Sequence, residues 1–358
     1  MIISTPQIGA GLRDRLAELD RLRDELGGEA ERMAPWMGTL RRAVRASSIE
    51  SSTSIEGYSV EPGEAIALTS GAAPEPGANE SRQAVACYAR AIDHVAAMAR
   101  DPRFRWVDRV ILDLHFDACH FQHDKSPGLW RVGPISVTGT GGEIEYRGPD
   151  PEAVPALMAE VVEWLEDGGD GVHPVVKAAM AHLNVTSVHP FRDGNGRVAR
   201  IVQSLVLARE GLLSPEFSSI EEYLSRNTPA YYAVLRETQA GRYQPERDAS
   251  AWVEFCVEAH VAQAERRLEQ IREAARRWEL LEREVTERGW PERFTIALEQ
   301  SLIGGIDRAG YGGEADVSAA TVTGDLRRLL DSGLVRQEGR GPGTRYWASE
   351  QLRSLLAR

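Results

Sequence analysis

A chain of 358 residues exceeds one typical hydrophobic core, so its length predicts two or three domains. Hydrophobic residues make up 42% and charged residues 27%, a globular balance, and no apolar run reaches the roughly 20 residues of a membrane helix, so no membrane partner is expected. The formal charge of −12 disfavours sequence-independent nucleic-acid binding by the whole chain, and three scattered cysteines, Cys87, Cys119 and Cys256, give no disulfide framework, so a reducing cytoplasm is expected.

Leu12, Leu16, Leu19 and Leu22 recur at helical spacing and predict an amphipathic helix from Gly11 to about Arg45. The breaker-rich stretch Thr69 to Asn79 reads as a surface loop before a helix over Glu80–Ala99. A further helix is predicted over Val107–His120 and stopped by Ser126-Pro-Gly. Short β-rich runs around Gly139-Thr-Gly-Gly142 then predict a hairpin that leans on helices.

Helices follow over Pro151–Glu166, Pro174–Val188, Gly196–Glu210, Ala230–Thr238 and Ser250 to about Arg288, the last suiting a connector or dimer helix. Beyond Gly289-Trp-Pro291, helices over Phe294–Leu302 and Ser318–Leu330, capped by Gly333, precede strands at Leu334–Gln337 and Thr344–Trp347. That order predicts a winged helix-turn-helix.

The segment His189-Pro-Phe-Arg-Asp-Gly-Asn-Gly-Arg-Val-Ala-Arg200 lies between two predicted helices. Backbone N–H groups at a helix start face anions, Gly194 and Gly196 permit close approach, Asn195 can donate, and Arg197 and Arg200 add positive charge on one helix face. Asp193 is the single hard oxygen ligand that Mg²⁺ often takes from protein when phosphates supply the rest, and His189 can accept a hydroxyl proton.

His189 through Arg200 resembles the Fic family signature, H-P-F-x-D-G-N-G-R-x-x-R, at every defined position. The likeness extends to Gly128-Leu-Trp-Arg131, the hairpin from Ile135 to Tyr146, Tyr231-Tyr232, Gln239 and Trp252, covering roughly residues 30 to 260. It implies a mainly α Fic-type bundle with a small hairpin flap, in which His189 activates a Ser, Thr or Tyr hydroxyl of a protein target to take AMP from ATP. By resemblance Gly194, Asn195 and Gly196 contact phosphates, Asp193 holds Mg²⁺, Arg197 steadies the leaving phosphates and Arg200 holds the γ-phosphate. The flap residues Val137, Thr138, Gly139 and Thr140 would pin the target, and Tyr231 and Gln239 would border the nucleoside.

Ser52-Thr-Ser-Ile-Glu56-Gly57 resembles the inhibitory motif placed ahead of one class of Fic cores, with Ser52 and Glu56 on one helix face. Glu56 would then pair with Arg200. The resulting division is a helical region over 1–104 with the motif at 52–57, a core over 105–249, a connector over 250–290 and a winged-helix unit over 291–358. Other transfers from UTP, GTP or CDP-choline, removal of AMP, and a DNA-binding regulator with a Fic sensor core stand as alternatives; the winged helix suits DNA, protein targets or a homodimer. The cluster His115, Cys119, His120 and His123 lacks a familiar zinc spacing and is read as structural.

Overall fold

The computed structural model describes residues 1–356 except 31–33, 76, 140, 169–170, 212–213, 340 and 342–343. The first predicted helix is in fact two, α1 (Ala10–Ala30) and α2 (Met37–Ser54), because Pro35 cannot sit inside a continuous hydrogen-bonded helix. A short α3 (Pro62–Thr69), started by proline, occupies ground next to the predicted loop. Asn79 caps α4 (Glu80–Arg100) by accepting from Arg82 N at 3.0 Å. Then come α5 (Asp108–Cys119) and the hairpin β1 (Ser136–Thr138) and β2 (Ile144–Arg147), antiparallel with Val137 opposite Tyr146.

The centre of the molecule is α7 (Pro174–Val188), preceded by α6 (Val154–Glu163) and followed by α8 (Asn195–Arg209). Every residue of α7 from Val175 to Val188 is buried, so its polar side chains need internal partners. They have them: Asn184 exchanges two hydrogen bonds with the backbone of Ile3, and His182 lies between Gln203 Oε1 at 2.8 Å and Tyr231 OH at 3.0 Å. Around this axis pack α4, α5, the short α9 (Pro215–Ser218) and α10 (Glu221–Arg226), α11 (Thr228–Gln239) and the long α12 (Ser250–Glu287).

α12, expected as a connector or dimer helix over 250–290, is packed into a core at each end. Trp252, Val253, Cys256 and Val257 lie in the main core, and Trp252 Nε1 donates to Ala179 O at 2.7 Å. The far end, through Leu281 and Val285, joins a second core with Phe294, Leu298, Tyr311, Leu326, Leu329 and Tyr346. That unit comprises α13 (Arg293–Ile303), α14 (Arg308–Glu314), α15 (Ala319–Asp331), the antiparallel pair β3 (Val335–Glu338) and β4 (Arg345–Ala348), and α16 (Glu350–Leu356). Its element order is that of the predicted winged helix, with α14 and α16 added; part of the wing turn, at 340 and 342–343, lies outside the described residues. It leans on the rest of the chain: a Cβ on Gly63 would fall 2.6 Å from the Trp347 ring, and Arg42 of α2 pairs with Glu314 at 2.8 Å. Among the described residues no helix is long and apolar enough to cross a membrane.

Burial lowers His120 and depresses four further histidines strongly: His115 to about 4, His182 to about 3, His189 to about 4, and His260 well below its ordinary value. The unfolded chain takes up the protons of these four near pH 6.5, the folded chain only near or below pH 4. Stability is therefore complete above about pH 6.5 and is lost progressively as pH falls from there towards about 4. The urea midpoint is expected to drop between pH 7.5 and pH 5, and to drop less in His182→Gln; equal slopes in the two proteins would contradict the assignment.

Candidate active site

α7 ends where His189 turns left-handed (φ 52°) and Pro190 forbids continuation, so the ring is carried at the first residue beyond the helix. Its Nδ1 lies 3.1 Å from Thr186 O, which accepts only, so the proton sits on Nδ1 and Nε2 keeps its lone pair. Burial favours that neutral ring, against the Thr186 carbonyl, which opposes the shift.

The loop back into α8 is fixed by its own side chains. Asn195 Oδ1 accepts from Phe191 N and Nδ2 donates to Phe191 O, both at 2.9 Å, and Phe191 stacks on His115 with centroids 3.7 Å apart. The Asn195 amide, expected to meet phosphate, is thus largely committed to shaping the loop. His115 Nε2 donates to Asp193 O at 3.0 Å while Nδ1 accepts from Gly128 N at 2.8 Å. Gly194 adopts φ 76°, and a Cβ there would fall 2.4 Å from Cys119 Sγ, so only glycine serves.

The first helical bond of α8 runs from Val198 N to Gly194 O, which leaves the N–H groups of Asn195, Gly196 and Arg197 outside the ladder and facing the site. Together they form an anion-attracting helix start. Glu56, on the turn after α2, stands against it: a Cβ on Gly196 would fall 2.5 Å from Glu56 Oε1.

Arg200 is 1% exposed and held by that same segment, with Nε donating to Ser52 Oγ at 2.7 Å and one terminal nitrogen donating to Ser52 O at 3.0 Å and Glu56 Oε1 at 2.8 Å. Its other terminal nitrogen, Nη1, has no partner among the described residues. Arg197 is equally buried, donating to Gln122 Oε1 at 2.8 Å and lying over the rings of Tyr58 and Phe121. Gly57, at φ 85°, only ends the turn.

A cavity of about 320 Å³ gathers Glu56, Val137, His189, Asp193, Gly194, Asn195, Gly196, Tyr231 and Gln239 on its walls, with Tyr232 and Arg192 beside them. Arg197, Arg200, Thr138 and Gly139 do not reach its lining, and Thr140 lies outside the described residues. His182 sits behind Tyr231 rather than in the cavity. Tyr231 OH is taken up by His182 and Gln239 Nε2 donates to Ser187 Oγ at 3.1 Å, so both border the space from fixed positions.

Asp193 is the one signature carboxylate: Oδ1 accepts from Gly194 N at 2.6 Å and Oδ2 from Gln122 Nε2 at 2.8 Å. Among the described residues no three His, Cys, Asp or Glu side chains gather around a metal-sized space. One half-exposed carboxylate with phosphates as co-ligands is a donor set that suits Mg²⁺ and not zinc.

Two residues of consequence were given no role in the sequence reading. Arg131, 7% exposed, donates Nε to His189 O at 2.8 Å, Nη1 to Gly133 O at 2.9 Å and Nη2 to Pro149 O at 2.6 Å, clamping the His189 loop to the segments that flank the hairpin. Gln122 joins Asp193, Arg197 and Tyr58 OH. Arg131 was visible as the end of Gly128-Leu-Trp-Arg131; Gln122 stood among the histidines and had no signal of its own.

A family model described as Fic/DOC family matches residues 106–207. Over 96 residues the chain is 36% identical to protein adenylyltransferase fic-1 of Caenorhabditis briggsae, a match spanning 26% of this chain and 18% of that protein. Over 97 residues it is 35% identical to probable protein adenylyltransferase aq_aa38 of Aquifex aeolicus, spanning 27% of this chain and 28% of that one. The matched segment is therefore less than a third of these curated relatives. In fold, the chain is similar to a Fic family protein of Desulfovibrio desulfuricans (TM-score 0.58, 20% identity, 97% of this chain and 98% of that one). It is also similar to Fic-1 of Caenorhabditis elegans (TM-score 0.59, 21% identity, 73% of this chain and 72% of that one). Residues 106–207 thus match the Fic/DOC family, and this segment is related to protein adenylyltransferases.

Removing the Arg131 guanidinium strands four carbonyls at once, those of His189, Gly133, Pro149 and Val188. Hydrogen bonds from charged donors contribute about 1.5–3 kcal/mol each in favourable cases and are not additive, so Arg131→Ala is expected to cost about 2–4 kcal/mol. The urea midpoint reads this loss, and an unchanged midpoint would show that the clamp is dispensable.

Proposed function

We propose that the chain transfers AMP from ATP to a hydroxyl of a protein target, and that Glu56 restrains the reaction. The observation that carries the reading is the His189 ring: Nδ1 is tethered to Thr186 O, so the basic Nε2 is presented beside an open helix start built to hold an anion. In the reaction, Nε2 takes the proton of the target hydroxyl, whose oxygen forms a bond to the α-phosphorus of ATP. The bond from that phosphorus to the bridging oxygen breaks, and pyrophosphate leaves with its electron pair. The first-turn N–H groups of α8 receive the phosphates, and Arg200, once free, adds charge that steadies them. Asp193 would hold Mg²⁺, which supplies neutralisation of phosphate charge.

The neighbouring hairpin suits recognition of an extended peptide, because β1 pairs with β2 along one edge only. Glu56 opposes nucleotide in two ways on this reading: its carboxylate holds Arg200, and it repels phosphate at the mouth of α8. One guanidinium cannot fully serve a carboxylate and a γ-phosphate together.

Intact mass spectrometry after incubation with Mg²⁺ and ATP tests the chemistry. Glu56→Gly is expected to accumulate adenylylated protein faster than wild type, and His189→Ala in that background to lose about 100- to 10,000-fold in rate while still binding ATP. Equal rates with and without His189 would end the assignment; no gain from Glu56→Gly in a folded protein would end the restraint.

The ring environment also sets a pH profile. A base is competent above its pKa, and burial places His189 at about 4, so kcat/KM of Glu56→Gly should stay level from pH 7.5 down to about 5 and fall below that. A fall centred near pH 6.5 would show an exposed, unperturbed imidazole.

A further inference from the structure

Away from the candidate site, three buried polar side chains from different elements face one small void. Arg23 of α1 is 6% exposed, Ser218 at the end of α9 is 4% and His260 of α12 is 3%. Arg23 Nη1, Ser218 Oγ and His260 Nε2 all lack a hydrogen-bond partner among the described residues. The void they line is about 10 Å³, walled by Leu26 and Phe217, which is roughly the room of one water-sized sphere.

The chemistry of this lining is one-sided. Arg23 Nη2 lies 3.4 Å from His260 Nδ1, and a guanidinium donates only, so Nδ1 is the acceptor and the ring proton is on Nε2. The void is therefore faced by an arginine N–H, an imidazole N–H and a hydroxyl that can rotate to donate. Among the described residues Arg23 makes no ion pair; the nearest named carboxylate, Asp20, is engaged with His173 at 3.1 Å. A buried guanidinium whose one charge partner is a carboxylate already engaged elsewhere is costly, and so is each unmet donor. A water molecule would accept from two of the donors and leave the charge; a monatomic anion accepts from all three and neutralises it. From these three converging donors and the unpaired buried cation, we propose that the pocket between α1, α9 and α12 binds one small monovalent anion of the halide class, chloride in ordinary buffers.

Crystals of the full chain grown or soaked in sodium bromide test the site directly through bromide's anomalous scattering. A peak is expected within hydrogen-bond distance of Arg23 Nη1, Ser218 Oγ and His260 Nε2; density of a water alone at saturating bromide overturns the proposal. In solution, at constant ionic strength, replacing gluconate by chloride is expected to raise Tm, because an ion that binds only the folded chain stabilises it. Arg23→Met should abolish that rise. Should Arg23→Met not fold, Ser218→Ala keeps the cation and removes one ligand, and should raise the chloride concentration for half the effect about ten-fold. A rise that persists undiminished in the variants, or no rise in wild type, overturns the proposal.

Discussion

The buried guanidinium of Arg200 is the interaction around which the candidate site is arranged. At 1% exposure its charge demands partners, and it finds them in a segment far earlier in the chain, in Ser52, 148 residues before it, and Glu56, 144 before it. Leaving such a cation alone would cost several kcal/mol, on the order of 3–5, so the turn after α2 is drawn onto α8 by electrostatics as much as by packing. The apolar contacts of Ile49 and Val85 behind it belong to the common core and keep α2 in place. One nitrogen of Arg200 stays unpartnered even so. The site therefore carries unused donor capacity beside the helix start, which is where additional anion oxygens would find hydrogen bonds.

Around that pair, the loop from His189 to Asn195 is held both from within and from outside. Two left-handed residues, His189 and Gly194, bend it, and neither conformation would persist without the Asn195 brace, the His115 bond to Asp193 O and the Arg131 clamp. These supports come from α5, the segment before the flap and α8 itself. The His189 ring cannot swing without breaking Nδ1 to Thr186 O, and in the proposed reaction a base fixed before substrate arrives would have less orientational freedom to lose.

Much of this was legible in the sequence, for reasons that differ by residue. α7 and α8 were bounded nearly to the residue because Pro174 starts one, His189-Pro190 stops it, and Gly194 starts the next. The Glu56–Arg200 pair was legible only through family resemblance, since nothing local in Ser52–Gly57 reveals a partner so distant in the chain. The packing of α12 was only partly legible: its mixture of Arg and Glu with Ala and Leu suits a connector or dimer helix and does not reveal that Trp252, Cys256, Ala259 and Ala264 are buried in the core. Composition averages over the helix, whereas burial follows a single face. Asn195 misled in the opposite direction, because a side chain able to donate to phosphate is equally able to brace a turn, and only the position of Phe191 decides.

The attachment of the C-terminal unit adds a further constraint on the same helix. α2 carries Ser52 at one end and Arg42, paired with Glu314, nearer the other, while Trp347 abuts Gly63 just beyond the Glu56 turn. α14 thus bears on α2 through Arg42, and β4 bears on α3, the next helix after the Glu56 turn. The surface pair alone is weak, about 0–1 kcal/mol, but the Trp347 contact is steric and leaves no room for a methyl group at Gly63. Packing, more than charge, therefore joins the C-terminal unit to the segment that covers Arg200.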